Sequence, residues 1–205
     1  MLLHKRCKPV LLNERSSVFD GDYNDLRLFL CSSCNIQNLK MPQDWCGSVF
    51  TSREIMDALK EYKKTVDKNK CAFQIKKETV LLANTPHDLI LPDSTQMQLT
   101  MIPLDNGSNV IFLLEDQFIS VLTNSPLNNL DAFVNNKWLR KALKKGVDVL
   151  YIDDSILFES SMDLYHPTEF QLRVLVDLVR PRFVYGLSGF VTIWLPLAAP
   201  AAPIG

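Results

Sequence analysis

Residues 28–40 read LFLCSSCNIQNLK: an apolar run, Leu28-Phe29-Leu30, delivers the chain into a polar turn that carries Cys31, Ser32, Ser33, Cys34 and Asn35. A strand that ends in a polar turn holds the first turn residues rigidly, so α/β proteins often keep their chemistry there. The turn offers a Cys-x-x-Cys pair. A zinc site built of cysteines wants a second pair, and Cys46 and Cys71 do not supply that spacing. A redox dithiol wants the first turn of a helix, where the dipole lowers the thiol pKa. Here Asn35-Ile36-Gln37-Asn38 runs on to Pro42 and signals no helix start. From the residues alone the two thiols read as structural.

The chain has 205 residues, enough to bury a sizeable core, with 47% apolar residues and a formal net charge of −1. That balance advertises no global affinity for nucleic acid. Seven glycines are few for this length, and neither GxGxxG nor GxxxxGK[ST] occurs, which argues against a phosphate-cradling loop. The cysteines are Cys7, Cys31, Cys34, Cys46 and Cys71. An odd count, and a start (MLLHKRCK) with charges where a signal peptide needs apolar residues, predict reduced thiols in an intracellular, soluble protein. Residues 183–205 carry no charge. Three prolines in the last ten residues make this stretch a poor membrane helix. The expectation is a strand followed by an irregular tail, with 191–205 outside the packed core and no membrane partner.

Hydrophobic periodicity predicts a buried strand at 26–31 and a helix over 53–65, capped by Ser52, with Ile55, Met56 and Leu59 on one face. β-like runs follow at 71–76, 79–83 and 97–103. The segment VIFLLEDQFISVLT (110–123) reads as a hairpin around Glu115-Asp116-Gln117. Asn135 or Asn136 caps a helix ending at Gly146, and a strand follows at 147–153. Pro167 opens a helix over 167–180, and a strand returns at 183–187. The pattern is mixed α/β.

Other motifs carry less. Tyr151-Ile152-Asp153-Asp154 is similar to the Tyr-x-Asp-Asp of reverse transcriptases, but no second carboxylate strand organises around it, so it reads as a strand end with two solvated acids. His4, His87 and His166 lack ligand spacing. Lys137, Arg140, Lys141, Lys144 and Lys145 make a compact basic helix, either a solvated face or a contact for phosphates.

Taken together, four segments resemble, in order and spacing, the Apollo/Artemis branch of DNA cross-link-repair nucleases. They are LRLFLCSSCNIQ (26–37), LTMIPLDNGSNVIFLLE (99–115), FISVLTNS (118–125), and VLYIDDS (149–155) followed by HPTEFQ (166–171). In that family a strand leads into H-x-H-x-D-H, a later segment carries HCPGS, a strand ends in TGD, and LYLDxT precedes a P-S-x-x-E helix. The resemblance implies an α/β fold: a metallo-β-lactamase-like mixed β-sheet sandwich flanked by helices, of which this chain supplies the N-terminal half. Residues 1–182 would form that partial domain, and 183–205 the start of a β-CASP-like segment with an irregular apolar tail.

The resemblance also implies a lost metal centre. The family's ligand positions fall on Ser32, Cys34, Ile36 and Gln37, then on Asp105 and Ser125, and only Asp153 is retained. Zinc, the metal of active relatives, is therefore not expected here, and the first reading is a catalytically inactive, nuclear protein that binds DNA or repair and telomere proteins. The alternative is an active 5′–3′ DNA exonuclease with an atypical metal site at Cys34, Asp105 and Asp153. Of the basic helix, Lys137, Arg140, Lys141, Lys144 and Lys145 are the expected DNA contacts.

Overall fold

The computed structural model describes residues 10–12, 28–32, 34, 46–67, 74–90, 94, 96–104, 107–116, 120–123, 134–152 and 169–186. Its elements in chain order are β1 (Val10–Leu12), β2 (Leu28–Leu30), β3 (Cys46–Thr51), α1 (Arg53–Asp67), β4 (Gln74–Val80), β5 (Pro86–Ile90), β6 (Gln96–Leu104), β7 (Asn109–Glu115), β8 (Ser120–Thr123), α2 (Lys137–Lys145), β9 (Val149–Ile152), α3 (Glu169–Val179) and β10 (Phe183–Gly186).

The apolar alternation of β6 and β7 organises everything else. Side chains of successive strand residues point to opposite faces, so Met97, Leu99 and Met101 share one face with Val110, Phe112 and Leu114. Ile102 and Leu104 share the other with Ile111 and Leu113. Both sets are buried, which makes this sheet a middle layer. It has six strands in the order β10-β9-β8-β7-β6-β5: β5 to β8 pair antiparallel, and β8, β9 and β10 pair parallel. A second sheet, β1-β2-β3-β4, is parallel throughout. Parallel neighbours need a crossover, and α1, α2 and α3 provide it between β3 and β4, β8 and β9, and β9 and β10.

Two apolar clusters follow. The first joins Phe29, Leu30 and Val49 of the four-stranded sheet and Ile55, Met56 and Leu59 of α1 to one face of the six-stranded sheet, with Phe112 and Tyr151 among its largest members. The second packs Leu139 of α2 and Leu175 and Val179 of α3 on the opposite face. Each fully buried aliphatic or aromatic side chain contributes roughly 1.5–3 kcal/mol through burial.

The start of α1 and both ends of α2 fall where the sequence predicts, while α1 runs on past 65 to Asp67. Ser52 Oγ accepts from the Ile55 N–H at 3.2 Å. Asn136 Oδ1 accepts from Trp138 N–H at 3.0 Å and Leu139 N–H at 3.1 Å. Gly146, at φ +88°, closes α2 with its N–H donating to Leu143 O at 3.1 Å.

The strand pattern between 71 and 90 departs from expectation. Instead of two runs at 71–76 and 79–83, residues 74–80 form one strand, β4, because Lys76, Lys77 and Glu78 sit on an exposed sheet edge where charge is solvated and does not interrupt pairing. The unexpected β5 is also an edge strand; Pro86 opens it, and His87 and Asp88 hide its apolar alternation. The tail 191–205 and the start of the helix at 167–168 lie outside the described residues. Among the described residues, no helix is long and apolar enough to cross a membrane.

Candidate functional site

The turn after β2 meets two other segments. Cys31 is fully buried; its N–H donates to Phe50 O at 3.3 Å, and its carbonyl accepts from Thr51 Oγ1 at 2.5 Å. One residue on, the buried Ser32 offers its carbonyl to the Val110 N–H at 2.9 Å. Cys34 N–H in turn donates to Ser108 O at 2.9 Å. The turn is therefore laced by backbone bonds to the β6–β7 connection.

The start of α1 supplies the third side. Besides capping the helix, Ser52 Oγ donates to Gly107 O at 2.7 Å. Gly107 has φ +90°, and a Cβ placed on it would lie 2.6 Å from Glu54 Oε2, so the Glu54 carboxylate occupies the space that glycine leaves open. Segments 31–34, 51–54 and 107–110 thus converge through hydroxyl and backbone bonds.

The chemistry of this convergence centres on Cys34. Burial pushes its thiol above the ordinary value; the hydrogen bond with the Ser108 side chain pulls the other way, and the negative charge of Glu54 raises it further. The net effect raises the Cys34 thiol further above neutrality, which makes it a poorly activated nucleophile. Of the positions that the sequence resemblance implies for a zinc centre, Ser32 and Cys34 lie among the described residues. The Ser32 carbonyl accepts from the start of β7, the Cys34 thiol is hydrogen-bonded with the Ser108 side chain, and among the described residues no group of three or more His, Cys, Asp or Glu could hold a metal ion. Of the other expected positions, Ile36, Gln37, Asp105, Ser125 and Asp153 lie outside the described residues. Tyr151, two residues before Asp153, is a core residue of the first cluster. His87 has a local role, its Nε2 accepting from the Leu82 N–H at 3.1 Å.

The basic helix lies against the other face of the six-stranded sheet. Leu139 and Leu143 turn inward to the second cluster, while Lys137, Arg140, Lys141 and Lys144 are exposed. The side chain of Lys145 is not among those described. Arg140 turns back along the chain, its Nε donating to Val134 O at 2.7 Å and its Nη2 to Asn135 Oδ1 at 3.3 Å. Lys141 Nζ sits 5.1 Å from the centroid of the Trp138 ring. The structure thus separates one helix-bracing arginine from three outward lysines.

Glu54, Ser108 and Trp138 were not singled out by sequence reasoning. Nothing local says that Gly107 will face a residue 55 positions away, the separation between Ser52 and Gly107.

No family model matches the chain, and no curated protein does. Solved structures do resemble it. Zn2+-bound PqqB from Methylobacterium extorquens aligns with TM-score 0.49 and 10% identity, covering 87% of this chain and 73% of that one. A diphosphatase of the PhnP family aligns at 0.47 and 11%, covering 87% and 68%. CmlA, a diiron β-hydroxylase from Streptomyces venezuelae, aligns at 0.44 and 12%, covering 81% of this chain. This chain spans 38% of the length of CmlA. A protein of the metallo-β-lactamase superfamily from Thermotoga maritima aligns at 0.35 and 11%, covering 74% of this chain and 63% of that one.

Proposed function

We propose that this chain is a non-catalytic relative of the Apollo/Artemis-type nucleases, acting in the nucleus by binding DNA or repair and telomere proteins. In this reading residues 1–182 correspond to the N-terminal half of a metallo-β-lactamase-like domain, and 183–205 to the start of a β-CASP-like segment. The observation that carries the reading is the use made of the turn after β2. A hydrolytic centre needs that turn to present free imidazoles and carboxylates to metal. Here the turn presents Ser32, a buried neutral hydroxyl, and Cys34, a half-buried thiol hydrogen-bonded with the Ser108 side chain, in place of two imidazoles. Sequence supports the same conclusion at Ile36 and Gln37, an aliphatic side chain and a neutral amide, where the resemblance puts an aspartate and a histidine.

The test combines elemental analysis of purified protein with an exonuclease assay on 5′-phosphorylated single strands, using Cys34→Ala and Asp105→Ala as controls. No stoichiometric metal and no strand degradation are expected. Two metals per chain, or degradation that either substitution abolishes, would establish the atypical-site exonuclease at Cys34, Asp105 and Asp153 instead.

A further inference from the structure

We infer that the outward face of α2 is a binding site for single-stranded nucleic acid, with Trp138 as the base-stacking platform and Lys137, Lys141 and Lys144 as phosphate contacts. The inference rests on the reading of α2 as the nucleic-acid face and adds strandedness and a location independent of the turn after β2.

Four observations carry it. The helix KWLRKALKK contains no acidic residue, so none of its own side chains neutralises the lysines. Positions 137, 141 and 144 recur at i, i+4 and i+7, which forms a stripe about 10 Å long on one side of a helix. Lys137 stands in the first helical turn, where the macrodipole disfavours a cation, so helix stability does not account for it. Trp138 remains 38% exposed and belongs to neither apolar cluster, so the core does not account for it either.

The pairing of these groups selects the ligand. Lys141 Nζ lies over the Trp138 ring, a solvent-exposed contact that a stacking base would replace, releasing the ammonium to the phosphate; stacking on an aromatic is tolerant of sequence. A duplex hides its base faces, so it would use the lysines and leave the indole idle. A membrane surface is disfavoured because an interfacial helix inserts its apolar face, and here Leu139 and Leu143 are already packed against the sheet. An acidic peptide would pair with the lysines but gives Trp138 no planar partner. The surface lies on the far side of the six-stranded sheet from Cys34, so loss of a metal site would leave it intact.

The experiment is fluorescence anisotropy of the full chain with a labelled oligothymidylate and with a duplex of equal length, across a salt series. The single strand is expected to bind at least about 10-fold more tightly than the duplex. Trp138→Ala should weaken single-strand binding roughly 5- to 150-fold, the equivalent of one stacked base, and leave duplex binding unchanged. Trp138→Phe keeps an aromatic face and should retain most of the affinity, which separates stacking from folding. The combined variant Lys137→Glu, Lys141→Glu and Lys144→Glu should abolish both complexes and with them the salt dependence, while Cys34→Ala changes neither. Equal affinity for the two nucleic acids, an unaffected Trp138→Ala, or preference for anionic vesicles over oligothymidylate would overturn this inference alone. No binding to either nucleic acid would overturn it together with the DNA-binding reading beneath it.

Discussion

Ser52→Ala removes two bonds with one atom, and its cost can be worked out in advance. The hydroxyl caps α1 by accepting from Ile55 N–H and at the same time donates to Gly107 O, and Ser52 is almost fully buried. Loss of a serine cap costs about 1 kcal/mol. A buried carbonyl left without its donor costs a further 1–3 kcal/mol or so. The sum is about 2–4 kcal/mol, which in urea unfolding moves the midpoint on the order of 1 M with an unchanged slope. Ser52→Gly divides the two contributions, because glycine caps a helix nearly as well as serine, within a few tenths of a kcal/mol. The glycine variant should therefore lose roughly 1–3 kcal/mol, almost all of it from the Gly107 bond. The loosened β6–β7 connection should also let Cys34 react faster with iodoacetamide, since Ser108 helps to hold that segment. An alanine variant within about 0.5 kcal/mol of the parent, or a glycine variant as stable as the parent, would refute the three-segment convergence as a source of stability.

The raised Cys34 thiol makes a second case. Its folded pKa lies above the unfolded value, so its contribution to stability is fully present below the ordinary thiol pKa and is lost as pH rises through the folded value. Unfolding midpoints measured on the alkaline side should fall for the parent and fall less for Cys34→Ala; parallel curves would contradict the assignment. In the second cluster, Leu139→Ala should cost about 2–5 kcal/mol and Asn136→Ala about 1 kcal/mol, read by thermal or denaturant melts. A reversed ranking would mean that α2 is held by its cap and not by the sheet beneath it.

Local signals were legible where a residue acts on its own neighbours. Ser52, Asn136 and Gly146 each bond within a few positions, so the ends of α1 and α2 could be read from the chain. The β7–β8 hairpin was legible for the same reason. β4 and β5 were not, because the edge of a sheet tolerates the charges and proline that disguise an apolar period. The turn after β2 was visible as a polar break, but its partners were not. Glu54 sits over Gly107 only because α1 and the β6–β7 connection are brought together by packing of distant strands, and no spacing rule encodes that. Trp138 was hidden by the opposite effect: an indole in an amphipathic helix reads as core until its exposure is seen.

The antiparallel run from β5 to β8 has a consequence for how the chain reaches its fold. These four strands lie between residues 86 and 123 and pair with their immediate neighbours in sequence, so their contacts close short loops. Among the described residues, the other paired strands are parallel and wait for a crossover. Low contact order favours the meander as the first structure to form, and it arrives with an apolar surface on each side. The remaining layers then condense onto it independently. Substitutions in Phe112 or Ile111 should slow refolding, whereas those in Phe29 or Leu175 should chiefly accelerate unfolding. The central sheet would be both template and partition, and a chain that fails to recruit either layer would present the bare meander to other molecules in solution.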